Sequence, residues 1–163
     1  MAEPRSLARL CFACGDDNPR GLGMRFEMQG DRAVAQFTVP DYLQGFPGQA
    51  HGGAVATMLD EAMGWAVYGR GDWALTAKLS MRFRAKVPLG EPLTVSGWVT
   101  RDRGRFLELR AEVRSQGGIL LAEADGLFAR VQGEQAEEMR EIYEASVADS
   151  GAQISKQAAR PKR

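Results

Sequence analysis

Apolar and polar residues alternate along most of the chain in stretches that are typical of β-strands. Residues 24–28 and 32–39 alternate on either side of Gly30-Asp31, a pair that favours a hairpin turn. After residue 73 four more alternating stretches follow, with no helical pattern between them: residues 74–87, 93–99, 107–113 and 119–131. The pattern therefore predicts two strands before the centre of the chain and four after it.

The stretch 74–87 is the longest of these and is predicted to have one polar, basic face. Strict alternation puts these residues on that face: Thr76, Lys78, Ser80, Arg82, Arg84 and Lys86. Leu75, Ala77 and Leu79 fall on the opposite, apolar face.

Residues 52–69 carry a strong helical pattern in the middle of the chain. Apolar residues recur there at three- and four-residue spacing, and many of the other positions hold alanine or glycine. A surface helix would carry more lysine and glutamate, so we expect this helix to be buried on most sides. One helix cannot cover both faces of a six-stranded antiparallel sheet, but the sheet can curl around it. We therefore predict an α+β protein with the hotdog fold, a six-stranded antiparallel sheet wrapped around a long central helix.

The chain divides into three parts. Residues 1–23 form an N-terminal extension with a Cys-x-x-Cys loop, and residues 24–132 form the hotdog domain. Residues 133–163 hold a short amphipathic helix, over residues 134–147, and a polar tail from Ser150 that is predicted to be disordered.

Charge and composition exclude several classes of function. The 21 lysines and arginines equal the 21 aspartates and glutamates, so no overall field favours nucleic acid or an anionic membrane. No apolar run is long enough to span a bilayer, and residues 1–10 lack the continuous apolar stretch of a secretory signal. We expect a cytoplasmic protein. No dinucleotide-binding or P-loop motif is present, and we expect neither a cofactor nor a metal.

The two cysteines, Cys11 and Cys14, form a single Cys-x-x-Cys pair. Two ligands do not complete a structural zinc site, which has four, so aspartate, glutamate or a second chain would have to supply the others. A redox role would want a strand and a helix around the motif, but a turn follows, Gly15 to Pro19. Buried or half-buried free thiols are the favoured interpretation, ahead of a metal site and a redox pair.

Two features of the central helix could carry chemistry. His51-Gly52-Gly53 precedes and begins it, so free N–H groups of the first turn and the helix dipole could stabilise an oxyanion. The glycines could equally serve only the turn into the helix. Asp60 and Glu61 are the only acids in the helix, and a buried carboxylate is a candidate general base. An ion pair with a basic residue such as Lys78 or Arg82 is the alternative.

Three stretches resemble the PaaI-type acyl-CoA thioesterases of the hotdog superfamily. They are His51-Gly52-Gly53 with its helix to Asp60, the strand Leu75-Thr76 to Phe83 with the turn Val87-Pro88-Leu89-Gly90, and Cys11-Phe12-Ala13-Cys14-Gly15 with Asn18-Pro19-x-Gly21-Leu22. The resemblance covers residues 11–131. It implies an enzyme that hydrolyses an acyl-CoA thioester to the free acid and CoA. It also implies a homodimer or a dimer of dimers, with active sites at the dimer interface.

The resemblance implies a role for each matching residue. The Gly53 N–H, helped by Gly52, polarises the thioester carbonyl. Asp60 acts as general base on water, or as a nucleophile through an anhydride, and serves the thioester bound against the partner's Gly53. Thr76 helps to position the water, and His51 supports the site.

Other residues remain candidates for substrate binding or for the base. Glu61 is the rival of Asp60, because some hotdog thioesterases use glutamate as the carboxylate. Arg82, Arg84 and Lys86 suit contacts with the phosphates of CoA. Basic residues that only keep an exposed sheet face soluble are the alternative interpretation.

Two other functions on the same fold compete with hydrolysis. A non-catalytic module that binds or senses acyl-CoA would be favoured by loss of the carboxylate, but Asp60 is present. A hydratase would pair an aspartate with a histidine, and His51 is the single histidine. The acyl group cannot be read from the sequence, because the aromatic candidates for its pocket could equally be core: Phe46, Trp65, Tyr68 and Trp73.

Overall fold

The computed structural model describes residues 9–149, with side chains up to Glu144. In this part of the chain two α-helices, α1 (Gly52–Gly69) and α2 (Glu134–Asp149), accompany six strands. The strands are β1 (Glu27–Gln29), β2 (Arg32–Thr38), β3 (Ala74–Phe83), β4 (Pro92–Asp102), β5 (Phe106–Ser115) and β6 (Leu120–Arg130). The predicted tail from Ser150 and the first eight residues of the predicted extension lie outside the described residues.

The six strands form one antiparallel sheet in the order β1-β2-β4-β5-β6-β3. The predicted strands are therefore confirmed, although the first is shorter than the pattern indicated. Leu22 and Met24 donate backbone hydrogen bonds to Phe12 and Ala13 of the Cys-x-x-Cys loop. Since the backbone at residues 22–24 pairs with this loop, β1 begins only at Glu27.

Helix α1 has the bounds that its pattern predicted and packs along the inner face of the curved sheet, in contact with β2 to β6. Its buried residues form the centre of the core: Ala54, Val55, Met58, Leu59, Ala62, Met63, Ala66 and Val67. At Gly97 in β4 the helix comes so close that a Cβ atom would lie 2.4 Å from the Ala62 carbonyl oxygen. The predicted wrapped-helix fold is confirmed. In the part of the chain described, no helix is both long and apolar enough to cross a membrane.

Strand β3 departs from strict alternation because it contains a β-bulge. Thr76 pairs with Phe128 and Lys78 with Leu127, so Ala77 is an extra residue that has no partner in the ladder. A bulge of this kind shifts the alternation by one residue. Thr76 therefore points towards α1, with Leu79 and Met81, and the prediction that it shares a face with Lys78 was wrong. Leu75, predicted on the apolar face, is 51% exposed.

Candidate active site

The helix start is organised by His51, which is the N-cap of α1. Its backbone is extended, and its Nδ1 atom accepts a hydrogen bond of 3.0 Å from the Gly53 N–H. The Ala54 and Val55 N–H groups both donate to the His51 carbonyl oxygen. Among the described residues, no group accepts from the Gly52 N–H. The first turn thus has one N–H that is open to a ligand and a second, at Gly53, that is covered only by an exposed imidazole.

Asp60 lies two turns further along α1 and meets the bulged strand. The Thr76 hydroxyl donates a 2.7 Å hydrogen bond to Asp60 Oδ1. The Asp60 side chain is half-buried, and its second carboxylate oxygen has no hydrogen-bond partner among the described residues. A carboxylate that is held on one oxygen and open on the other can accept a proton from a bound water.

A cleft of about 440 Å³ opens beside the N-terminus of α1. The loop before the helix forms one wall, and the chain that follows β3 forms the other. Its lining residues are Phe46, Gln49, Ala50, Gly52, Phe83, Arg84, Ala85, Lys86 and Val87. The cleft therefore joins the open Gly52 N–H to two of the three predicted phosphate contacts, whereas Arg82, Asp60 and Thr76 do not line it.

Within one chain, the helix start and Asp60 are too far apart to act on one carbonyl group. Asp60 lies seven positions after Gly53, which is about 10 Å along a helix that rises about 1.5 Å per residue. A reacting carbon must lie about 3 Å from both its nucleophile and the oxyanion donors. One chain therefore does not bring the two predicted site residues, Gly53 and Asp60, together.

Glu61, the predicted rival of Asp60, lies on a different side of α1. Its Oε1 atom accepts from Trp65 Nε1 at 3.1 Å and lies 3.9 Å from the Cys11 sulfur. Burial raises the pKa of Glu61 to about 7, and the charge of Cys11 acts in the same direction. Glu61 stays a prediction as a site residue, but its carboxylate belongs to a separate cluster with the cysteines.

The basic residues after the middle of β3 differ in how strongly other groups hold them. Arg84 Nε donates to Glu123 Oε1 at 2.9 Å, and Arg110 holds the other oxygen of the same carboxylate at 2.9 Å. These arginines keep the pKa of Glu123 below its usual range, Arg84 being the strongest influence. Arg82 is the partner of Glu123 in the strand register. Lys86 is exposed and makes no ion pair with a described residue.

The predicted aromatic pocket candidates separate into two groups. Trp65, Tyr68 and Trp73 pack edge to face or tilted with Tyr143 of α2, at ring-centroid distances of 4.9 to 6.1 Å. They form a cluster beneath the C-terminal helix and do not line the cleft. Phe46 is 78% exposed and does line it.

Two arrangements could not be found from the sequence. The cluster of Cys11, Cys14 and Glu61 is one of them: Cys11 and Glu61 are 50 positions apart, and the helical pattern does not indicate what Glu61 contacts. The Ala77 bulge has no glycine or proline to mark it. The one indirect signal was the role that the family resemblance implied for Thr76, positioning the water on which Asp60 acts.

Comparison with known proteins identifies the class. Residues 47–122 match the thioesterase superfamily, a segment that contains α1, β3, β4, β5 and the start of β6. The hotdog domain of this chain therefore belongs to the thioesterase superfamily, which confirms the predicted family. Among its relatives is the acyl-coenzyme A thioesterase THEM4 of Bos taurus, 39% identical over 121 residues. That alignment covers 71% of this chain and 50% of the relative, so the chain spans about half the length of the protein it matches.

Solved structures share the fold. Protein RHA08564, a thioesterase superfamily protein, superposes with a TM-score of 0.72 at 28% identity, covering 77% of this chain and 64% of that one. The Escherichia coli PaaI protein gives a TM-score of 0.64 at 23% identity over 69% of this chain and 82% of its own. The smu.793 protein of Streptococcus mutans was solved bound to acetyl CoA. It gives a TM-score of 0.63 at 21% identity, covering 66% of this chain and 88% of its own.

Proposed function

We propose that this protein is an acyl-CoA thioesterase, in which Asp60 is the carboxylate base and the N-terminus of α1 stabilises the oxyanion. The observation that carries the proposal is the Asp60–Thr76 hydrogen bond, on the helix that His51-Gly52-Gly53 begins. The family of the hotdog domain and the activity named for THEM4 support the same reaction. The mechanism at Asp60 and Gly53 is the part that the proposal adds.

The hydrolysis needs few groups. Asp60 accepts a proton from a water held by its free oxygen, and the water oxygen forms a bond to the thioester carbon. The carbonyl oxygen becomes an oxyanion and accepts hydrogen bonds from the Gly52 and Gly53 N–H groups. At Gly53 it replaces His51 Nδ1 as the acceptor. The C–S bond then breaks, and CoA leaves as a thiolate. A thiol pKa of about 8.5 makes it a good leaving group, so no strong general acid is needed.

We propose that two chains complete the site, as in the predicted homodimer. The separation of about 10 Å between Gly53 and Asp60 on one helix supports this assembly. So does the position of β3 at the edge of the described sheet, where a second strand could pair with it. Asp60 of one chain would then serve a thioester whose oxygen is held at the helix start of the other. Both assemblies, a dimer and a dimer of dimers, stay predictions.

We propose that the cleft holds the CoA portion of the substrate. It begins at Gly52, where the thioester oxygen is held, and ends among Arg84 and Lys86, which suit the phosphates. The smu.793 protein, which shares the fold, was solved with acetyl CoA, a ligand of the same class. Arg82 lies outside the cleft lining and stays a prediction as a contact.

A panel of acyl-CoA thioesters tests the function. We expect release of CoA thiol from at least one straight-chain or aryl member, measured with a thiol reagent, and no cleavage of the matched oxygen esters. A non-catalytic acyl-CoA-binding module is the competing function. Saturable binding of acyl-CoA without turnover of any member would establish it and refute hydrolysis.

Replacement of Thr76 by valine is expected to lower kcat about 10-fold or more and to leave KM almost unchanged. Valine keeps the shape but removes the hydrogen bond that orients Asp60, and hydrogen bonds to charged groups contribute about 1.5–3 kcal/mol. Steady-state kinetics on the best substrate of the panel measures the effect. Thr76→Ser keeps the hydroxyl and should restore most of kcat. Equal losses in Thr76→Val and Thr76→Ser would mean that the hydroxyl has no positioning role.

Replacement of Lys86 by alanine is expected to raise KM for acyl-CoA about 5-fold, with kcat unchanged. An exposed lysine on a phosphate group contributes about 1 kcal/mol, and this contribution weakens as salt increases. Lys78→Ala is the matched control, because Lys78 is an exposed lysine of β3 outside the cleft. KM values that rise equally in both variants would argue for a general charge effect instead of a CoA contact.

A further inference from the structure

Cys11 and Cys14 meet Glu61 on a side of α1 that the proposed thioesterase site does not use. The two sulfur atoms and a carboxylate oxygen of Glu61 all lie within 4.8 Å of one another. The Cys11 sulfur is 3.9 Å and 4.0 Å from the two oxygens of Glu61. Neither cysteine forms a disulfide, and all three residues are half-buried. Three metal-binding side chains from two distant segments are thus gathered around one point.

The Cys-x-x-Cys turn places both sulfur atoms beside Glu61. The Gly15 N–H donates a 3.0 Å hydrogen bond to the Cys11 carbonyl oxygen and closes the turn. The turn closes so tightly that a Cβ atom at Gly15 would lie 2.4 Å from the Arg9 carbonyl oxygen and 2.5 Å from the Cys11 nitrogen. Only glycine fits there. The turn therefore holds Cys11 and Cys14 in one place, and both would bind metal as thiolates.

Glu61 has no cationic partner among the described residues. Its carboxylate accepts from Trp65 Nε1 and lies within sulfur hydrogen-bond distance of the Cys11 thiol. A half-buried carboxylate is unfavourable without a charge partner, and a cation held by the adjacent cysteines would supply one.

We propose that Cys11, Cys14 and Glu61 bind a zinc ion. Zinc bonds of about 2.3 Å to sulfur and about 2.1 Å to a carboxylate oxygen place tetrahedral ligands about 3.6 Å apart. The 3.9 Å between Cys11 Sγ and Glu61 Oε1 is close to that distance, so small side-chain movements suffice. Binding displaces the thiol protons of both cysteines to solvent, and a water fills the fourth position. The proposal departs from the sequence-based expectation of no metal.

The zinc has a structural role in this arrangement. It joins the N-terminal loop to α1, and it lies next to Tyr143 of α2, which packs on Trp65 and approaches Cys14. Three segments that are distant in sequence are thereby fixed at one place. Because Asp60 faces Thr76 and not this cluster, removal of zinc should lower thermal stability and leave the kcat of the folded protein intact.

Metal content of the full-length protein, purified without chelators, tests the proposal. We expect about one zinc per chain by inductively coupled plasma mass spectrometry, and close to none in Cys14→Ser and Glu61→Gln. Asp60→Asn is the matched control, since it changes the neighbouring carboxylate and should keep its zinc while losing thioesterase activity. These two readouts separate failure of the zinc site from failure of the proposed function.

Replacement of the zinc by cobalt provides a second readout that does not depend on the folding of a variant. We expect the wild-type protein to show a thiolate-to-cobalt charge-transfer band and the intense visible bands of tetrahedral cobalt. Zinc added to the metal-free protein should raise Tm, because a ligand that binds only the folded state stabilises it. Zinc-free protein whose Tm does not respond to zinc would overturn the proposal. So would an intact mass two hydrogens short, which identifies a Cys11–Cys14 disulfide.

Discussion

Replacement of Asp60 by asparagine is expected to lower kcat/KM for acyl-CoA hydrolysis by about 10²–10⁴-fold, the usual contribution of a general base. Asparagine keeps the size of the side chain and can still accept from the Thr76 hydroxyl, but it cannot take a proton from water. The loss should therefore fall on kcat, with KM nearly unchanged. Thiol release from the best substrate of the acyl-CoA panel measures both constants.

Glu61→Gln is the informative comparison for this experiment. It removes the adjacent carboxylate, which faces Trp65 and Cys11 instead of Thr76. We expect this variant to retain most of the wild-type kcat wherever circular dichroism shows it to be folded. An inactive Glu61→Gln together with an active Asp60→Asn would transfer the role of base to Glu61.

The second large effect is on stability and concerns the close packing of α1 on β4. Gly97→Ala is expected to cost about 3 kcal/mol or more, since the added methyl group would lie 2.4 Å from the Ala62 carbonyl oxygen and 2.7 Å from the Met63 nitrogen. Both atoms belong to the helix backbone, so relief requires the whole helix to move away from the sheet. Equilibrium unfolding in urea, followed by circular dichroism, measures the change.

Gly64→Ala is expected to have the opposite effect on stability, although Gly64 lies in the same helix. Gly64 lies in the interior of α1, and a Cβ atom there would meet no atom within 4 Å. Alanine should stabilise the helix by about 0.5–1 kcal/mol, because it restricts the unfolded chain more than glycine does. Equal urea midpoints for Gly97→Ala and wild type would contradict the described contact between helix and sheet.

The parts of the fold that the sequence predicted are those where local pattern and burial agree. The bounds of α1 follow from apolar spacing between His51-Gly52 and Gly69, and the four strands after it follow from period-two alternation. The first strand was predicted to begin at Met24 because Met24 alternates with Phe26 and Met28, but the Met24 N–H pairs with Ala13 of the Cys-x-x-Cys loop and β1 begins at Glu27. Alternation reports which face is buried, and it does not report which backbone is the partner.

The candidate site was predictable in its residues but not in its geometry. His51, Gly53, Asp60 and Thr76 were all singled out, yet their separation into a helix start and a carboxylate two turns away appears only in the folded chain. Thr76 faces α1 because of the bulge at Ala77, and strict alternation does not predict that bulge. Long-range neighbours such as Cys11 and Glu61 depend on how the N-terminal loop packs on α1, and no local pattern encodes that packing.

The bulge at Ala77 also limits what can attach to the open side of β3. An unpaired strand edge can join another strand only where its N–H and C=O groups keep the regular repeat of a β-strand. Ala77 breaks that spacing and leaves residues 78–83 as the regular part of the edge. Strand-to-strand association along β3 is therefore confined to one short stretch in a fixed register. The bulge at Ala77, which turns the Thr76 hydroxyl towards Asp60, thus also limits aggregation-prone pairing at this edge.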